Sequence, residues 1–141
     1  MNQVGTGNTD YTYDSAGRLS AVSDPFGGNV QYSYDSAGRL DKRVLANGTY
    51  EAFIYDSQSR VTEIRTMKTV VPEGPDTLIK SRAYTFDLAS QVTSVVEGGI
   101  TTNYAYDLAG QLTSEVKSSG YSASYSYDAN GNRLSRTVNG V

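Results

Sequence analysis

One short motif returns six times along this chain: an aromatic residue, any residue, a second aromatic residue and an aspartate. Successive aspartates are 21, 21, 31, 20 and 21 residues apart. A fixed period of this length indicates a repeat architecture, in which each unit packs mainly on its neighbours. The paired aromatic positions and their aspartates are Tyr11, Tyr13 and Asp14; Tyr32, Tyr34 and Asp35; Phe53, Tyr55 and Asp56; Tyr84, Phe86 and Asp87; Tyr104, Tyr106 and Asp107; Tyr125, Tyr127 and Asp128.

The two aromatic residues of each motif predict a β-strand. Residues two apart share one face of a strand, whereas on a helix they would lie on nearly opposite sides. The residue between them is small or polar in five copies, as at Thr12 and Ser33, which is typical of a strand with one buried face. Tyrosine suits this setting because its ring packs while its hydroxyl finds water or a partner.

The aspartate that follows each aromatic pair predicts a turn. Its carboxylate can accept hydrogen bonds from backbone N–H groups a few residues on. A glycine three residues later supplies a positive φ angle in four copies, while the third and fourth copies hold Ser59 and Ser90 there and the sixth reads as one residue longer. The four glycines are Gly17, Gly38, Gly110 and Gly131.

A second turn precedes the next aromatic pair. Its signals are Gly27-Gly28, Asn47-Gly48, Gly98-Gly99 and Ser119-Gly120, of which the Asn-Gly and Gly-Gly pairs favour tight hairpins. Two strands and two turns per period predict an all-β fold: tandem antiparallel β-hairpin repeats forming a twisted, curved sheet, a partial shell or solenoid-like strip. The repeats are expected at 11–31, 32–52, 53–83, 84–103, 104–124 and 125–141, after a lead-in at 1–10.

The single long interval between aspartates contains an insertion. Residues 66–80 include Pro72-Glu73-Gly74-Pro75, and two prolines around Glu-Gly predict a loop at the tip of a longer hairpin. The loop is interpreted as a surface insertion, with a protruding recognition loop as the alternative.

Composition excludes most chemistry. Without His or Cys the chain has no histidine base, no Ser-His-Asp triad and no ordinary zinc site, so we expect no enzyme activity, no catalytic residue, no cofactor and no metal. Twelve scattered basic residues in a chain of net charge −3 disfavour nucleic acid as a partner. No apolar stretch approaches the length needed to cross a membrane.

Two features admit a functional and a structural interpretation. The aspartates are interpreted as turn caps, with calcium binding or catalysis as alternatives. The tyrosine stripe is interpreted as the packed core of the sheet, with stacking of sugar rings as the alternative. Four arginines at the turn ends are expected to pair with the aspartates: Arg18, Arg39, Arg60 and Arg133.

Two segments carry a family resemblance: Tyr13-Asp14-Ser15-Ala16-Gly17-Arg18-Leu19 and Tyr127-Asp128-Ala129-Asn130-Gly131-Asn132-Arg133-Leu134. They resemble the YD (tyrosine-aspartate), or Rhs, repeat family, and the resemblance covers nearly the whole chain. In bacterial Rhs proteins and toxin complexes such hairpins spiral into a hollow shell around a toxic domain, and in teneurins they form an adhesion scaffold. Some YD repeats have been associated with carbohydrate binding. Six repeats are too few for a closed shell.

The resemblance implies a non-catalytic segment of a β-shell that encloses or displays a toxin domain. The alternative is a cell-surface adhesion or carbohydrate-binding module that uses the tyrosine face. The partners expected are other YD repeats of a longer protein or further copies of this chain, met through unpaired sheet edges, then toxin cargo and glycans. The resemblance also implies a secreted or cell-surface bacterial protein, although the chain contains no signal peptide pattern.

Overall fold

The computed structural model describes residues 7–70 and 74–139, and these residues form twelve β-strands and no helix. The described ranges therefore hold no helix long and apolar enough to span a membrane. The strands are β1 (Asp10–Tyr13), β2 (Leu19–Ser23), β3 (Asn29–Tyr34), β4 (Leu40–Val44), β5 (Thr49–Tyr55), β6 (Val61–Lys68), β7 (Thr77–Phe86), β8 (Val92–Glu97), β9 (Ile100–Tyr106), β10 (Leu112–Lys117), β11 (Ser122–Tyr127) and β12 (Arg133–Val138).

The chain divides into two compact units, one ending at Lys80 and one beginning at Ser81, so the boundary lies within β7. Strand order is chain order, and the first unit is a meander in which β1 to β6 each pair with the next strand in antiparallel fashion. The second unit continues in the same way from β7 to β12. The predicted all-β fold of tandem antiparallel hairpins is confirmed.

Each aromatic strand presents its paired rings on one face. In β3, Val30, Tyr32 and Tyr34 are half-buried while Asn29 and Ser33 are exposed, and the same alternation recurs in β9 and β11. The side that carries the paired rings is called the aromatic face. The other side, the opposite face, carries mainly small and polar residues in the second unit.

A bulge recurs in every hairpin next to the aspartate turn. Tyr34 pairs with Leu40 and Ser33 pairs with Lys42, so Asp41 is an extra residue on β4. The other five hairpins shift register at the corresponding place. The extra residue changes the alternation of the second strand, which explains why the sequence of those strands has no regular pattern of apolar positions.

The second set of turns explains the one short period. Three of these turns close around three residues, as between Leu45 and Thr49. The fourth joins β8 to β9 through Gly98 and Gly99 alone, both at positive φ, because Glu97 pairs directly with Ile100. One residue fewer in this turn accounts for the interval of 20 between Asp87 and Asp107.

The insertion is partly strand. Of the predicted loop 66–80, residues 66–68 continue β6 and residues 77–80 begin β7, because Thr66 and Met67 extend the ladder opposite Glu51 and Tyr50. Pro72 and Glu73 lie outside the described residues. At the returning end of the loop, the Tyr50 hydroxyl donates a 2.6 Å hydrogen bond to the Asp76 carboxylate.

The described residues contain very little buried core, contrary to the interpretation of the tyrosines as a packed interior. Among them only Ala123 and Thr102 are buried, and no large side chain is fully buried. The tyrosines of the internal repeats are half-buried because their ring faces are covered by neighbours in the same sheet alone. Contacts between adjacent hairpins therefore have to supply what a core supplies in a globular domain.

Candidate functional site: the tyrosine-aspartate turn and the aromatic face

The aspartate of each motif organises a turn of fixed geometry. In the first copy, the Asp14 backbone N–H donates to the Arg18 carbonyl at 2.8 Å, and the Gly17 N–H donates to the Asp14 carbonyl at 3.0 Å. Asp14 Oδ1 accepts from the backbone N–H groups of Ala16 and Arg18, both at 2.9 Å. The result is a three-residue hairpin loop whose last residue takes a positive φ of 76°.

The same turn occurs in all six copies. In each, aspartate Oδ1 accepts a hydrogen bond from the backbone N–H four residues on. Gly17, Gly38, Gly110 and Gly131 take positive φ, and Ser59 and Ser90 take a φ of 63° in the third and fourth copies. Those two serines adopt a left-handed backbone conformation that is unfavourable for residues other than glycine. The hydrogen bonds that close the turn therefore outweigh the free-energy cost of this conformation.

The sixth turn does not have the extra residue that the sequence predicts. The loop has the ordinary length, and Asn132 occupies the place of the arginine: its side-chain amide donates to Asp128 Oδ2 at 2.9 Å. Arg133 instead pairs with Tyr127 at the position that Leu19 holds in the first copy, and Leu134 falls on the bulge, 68% exposed. The expected pairing of Arg133 with the aspartate is therefore wrong, since counting from the aspartate decides the position.

Arginine pairs with the aspartate in the first three copies. Arg18, Arg39 and Arg60 each place a guanidinium nitrogen 2.7–2.8 Å from Oδ2 of their own aspartate. The backbone N–H of Arg39 and then its guanidinium hold the pKa of Asp35 below its ordinary 3.8. Backbone N–H donors together with an arginine likewise lower the pKa of Asp14 and Asp56. Hydrogen bonding to the ionised form is thus the dominant cause.

In four of the six motifs, the second aromatic residue is a tyrosine that joins its hairpin to the hairpin before it. The Tyr34 hydroxyl donates to the Leu19 carbonyl, and the Tyr55 hydroxyl donates to the Leu40 carbonyl, both at 2.8 Å. We call this bond the tyrosine clasp. It recurs in the second unit, where Tyr106 donates to the Val92 carbonyl at 2.9 Å and Tyr127 donates to the Leu112 carbonyl at 2.8 Å.

Arginine completes the clasp in the first unit. The Arg18 guanidinium carbon lies 4.4 Å from the centre of the Tyr34 ring, and Arg39 has the same relation to Tyr55. Each of these arginines therefore bonds its own aspartate and covers the tyrosine of the next repeat. Burial raises the pKa of Tyr55, so the hydroxyl stays a hydrogen-bond donor further into the alkaline range than an exposed tyrosine.

The aromatic face of the second unit carries a shallow depression of about 370 Å³. Thr102 forms its floor at 8% exposure, and Tyr84 and Tyr104 lie among its lining residues. Thr102 stands two residues before the first aromatic residue of its repeat, and its side chain is short. The same position holds Glu51 in the third repeat and Arg82 in the fourth.

Three charged side chains also line the depression: Arg82, Glu97 and Lys117. Arg82 donates to Glu97 from two nitrogens at 2.5 and 3.0 Å, and Lys117 lies 3.7 Å from Glu115. The depression is therefore polar, with its charges paired. The part of the chain that the structure describes has no group of three acidic, histidine or cysteine residues that could hold a metal ion.

Comparison with known proteins identifies relatives by sequence and by fold. The family model described as "RHS Repeat" matches residues 13–49 and 106–140, together about half of the 141 residues. A search of curated proteins gives no match.

Solved structures of toxin-complex proteins share the fold. A crystal structure of TcdB2-TccC3-Cdc42 aligns with a TM-score of 0.75 at 16% identity, over 92% of this chain and 8% of that one. A Photorhabdus luminescens Tc holotoxin pore containing a TccC3 mutant aligns with a TM-score of 0.65 at 16% identity, over 92% and 9%. This chain spans less than a tenth of the length of either.

The clasp predicts a difference between two tyrosines of one motif. Tyr34→Phe removes the hydroxyl that donates to the Leu19 carbonyl, so we expect a loss of about 0.5–1.5 kcal/mol in the free energy of unfolding. Tyr32→Phe is the matched control, because the structure gives the Tyr32 hydroxyl no hydrogen bond. Urea denaturation followed by circular dichroism measures both. Equal losses from the two variants would show that the clasp contributes nothing.

The lowered aspartate pKa values predict loss of stability in acid. A carboxylate whose pKa is depressed in the folded state stabilises the fold above its ordinary pKa, and this contribution is lost as pH falls through the folded-state pKa. We therefore expect the urea concentration at the unfolding midpoint to decrease as the pH is lowered below about 4. Asp35→Asn keeps an Oδ1 acceptor without the charge, so it should start less stable at pH 7 and lose less in acid. Asp41→Asn, at the bulge, should follow the wild-type curve; an unchanged curve for Asp35→Asn would contradict the assignment.

Proposed function

Because this chain belongs to the RHS repeat family, we propose that it is a non-catalytic structural segment of an RHS-repeat β-shell that encloses or displays a toxin domain. The tyrosine clasp is the observation that carries the proposal. A chain whose described residues bury so little side-chain surface must be held by hairpin-to-hairpin contacts, and such contacts can continue through any number of repeats. Enclosing a partner needs a wall of this kind and no catalytic group.

The fold shared with TcdB2-TccC3 assemblies supports this proposal, as do the position and repetition of the motif. In this proposal, the motif residues from Tyr11 to Gly131 that the sequence analysis names have a structural role. The chain consists of the six repeats defined there. The natural setting that follows is a longer bacterial protein, secreted or held at the cell surface. Its partners would be further repeats of that protein and its toxin cargo.

Protection of a cargo from protease tests the shell. The chain is expressed together with the sequences that flank it in its own gene, and the product is treated with protease under native conditions. We expect a downstream domain to survive digestion, and Tyr34→Phe combined with Tyr55→Phe to expose it. Tyr32→Phe is the control. Flanking sequence without further tyrosine-aspartate hairpins, or a downstream domain digested as fast as a free one, would overturn the proposal.

Carbohydrate binding on the aromatic face is the second candidate function. The depression above Thr102 favours it, since Tyr84 and Tyr104 offer rings for stacking, while Arg82, Glu97 and Lys117 offer donors and acceptors for hydroxyl groups. The volume falls at the lower end of the range typical of small-ligand sites. Sugar recognition would use the tyrosines in addition to their structural role.

A variant that fills the depression above Thr102 tests carbohydrate binding separately from the structural role. Thr102→Gln introduces a longer side chain at a position where other repeats hold Glu51 or Arg82, so the fold should tolerate it. On a glycan array, we expect the Thr102→Gln variant to bind about tenfold or more weakly than the wild-type chain, equivalent to roughly 1.4 kcal/mol. Thr101→Gln, on the opposite face, is the control. An array with no bound glycan, or equal binding by both variants, would count against carbohydrate recognition.

A further inference from the structure

The two tyrosines of the first repeat are more exposed than those of the repeats that follow. Tyr11 is 59% exposed and Tyr13 is 63% exposed, whereas the corresponding residues of the next repeat, Tyr32 and Tyr34, are half-buried. Tyr34 is covered by Arg18 and bonded to the Leu19 carbonyl of the preceding hairpin. Within the described residues, β1 has β2 as its partner on one side and no strand on the other. The outer side of β1 therefore presents half of a tyrosine clasp.

The internal repeats show which chemistry completes that half. A hairpin whose turn runs from aspartate to arginine in five residues places a guanidinium over the tyrosine ring and a carbonyl against its hydroxyl. Arg39 goes further, since its Nη1 donates to Ser59 Oγ at 3.1 Å in the turn of the next repeat. Strand pairing supplies affinity along the edge, and these side-chain contacts supply selection.

The last hairpin of the chain lacks the group that would make this selection. Asn132 stands in the arginine position, and its amide is bonded to Asp128 within its own turn at 2.9 Å. An asparagine side chain is too short to make that bond and also cover a ring in another hairpin. The outer strand β12 therefore offers backbone groups for pairing but no cation for stacking.

We infer that β1 is an acceptor edge that selects a tyrosine-aspartate hairpin with arginine four residues after the aspartate, and that β12 of a second copy is a poor occupant. This inference rests on the proposed structural role and adds a rule for which hairpin joins which edge. Strand addition at β1 puts the incoming guanidinium on the Tyr13 ring and lets the Tyr13 hydroxyl donate to the incoming carbonyl. A second copy that paired its β12 with β1 would make a head-to-tail contact, an arrangement that can grow without closing.

Restoring the arginine tests the rule. Asn132→Arg gives the last hairpin the missing group, and sedimentation equilibrium over a concentration series measures self-association. We expect the association constant to rise about two- to fivefold over wild type, the range for an exposed cation over an aromatic ring. Gln111→Arg makes a similar change in an internal turn, where Tyr127 is already held by the clasp. It should leave the association constant at the wild-type value.

Changes at Tyr13 identify the surface on which the new arginine acts. Tyr13→Phe added to Asn132→Arg should remove the hydrogen-bond part of the gain, and Tyr13→Ala should return association to wild type or below. Tyr13 is 63% exposed, so these variants should keep the fold. A rise that persists with Tyr13→Ala, an equal rise with Gln111→Arg, or no rise with Asn132→Arg would each overturn the inference.

The association measurements do not involve a toxin domain. A negative result here therefore overturns the selection rule and leaves the shell proposal to its own protease test.

Discussion

The hydrogen bond from a tyrosine hydroxyl to the backbone carbonyl of the preceding hairpin is the contact on which this structure depends. With only Ala123 and Thr102 buried among the described residues, burial of a hydrophobic core cannot define the relation between neighbouring hairpins. The ladder between strands tolerates sliding by two residues, because a shift of two keeps every side chain on its face. A hydroxyl that must reach one particular carbonyl does not tolerate it. The clasp at Tyr34, repeated at Tyr55, Tyr106 and Tyr127, therefore sets the position of these four hairpins against the hairpin that precedes each of them.

The adjacency of tyrosine and aspartate follows from this requirement. Tyr34 is the last residue of its strand and reaches backward to the Leu19 carbonyl, while Asp35 begins the turn. That turn holds Arg39 and Leu40 in place, and these are the groups that the next tyrosine, Tyr55, contacts. The Tyr34-Asp35 dipeptide thus contacts the previous hairpin through its tyrosine and, through its aspartate, positions the groups that the next hairpin contacts. A change of loop length after the aspartate would misplace the carbonyls that accept these bonds, those of Leu19, Leu40, Val92 and Leu112. All six turns keep three loop residues, including the two that hold Ser59 or Ser90 in place of glycine.

The sequence was sufficient for the local structure and insufficient for the contacts between hairpins. A spacing of two residues between aromatic side chains, followed by aspartate and glycine, is decided by local backbone preferences, so strands and turns could be predicted. The bulge at Asp41 and its counterparts leaves no local signal, because it arises from pairing with another strand. The clasp needs the register of two hairpins, which the sequence does not contain explicitly. The extra residue predicted for the sixth turn is wrong because Arg133 takes the strand position that leucine holds in earlier repeats, while Leu134 lies on the bulge.

The repeats differ most where a contact can be made in more than one way. The residue four positions after the aspartate is arginine in the first three repeats, glutamine at Gln91 and Gln111, and asparagine at Asn132. Its backbone N–H bonds the aspartate in every copy, so the turn survives any of these side chains. Its side chain alone decides what is offered to the next hairpin: Arg18 stacks on Tyr34, while Gln91 donates to the Gly110 carbonyl at 3.2 Å. Backbone bonds therefore maintain the fold, and this one side-chain position can vary the strength of the contact between hairpins without altering the hairpin itself.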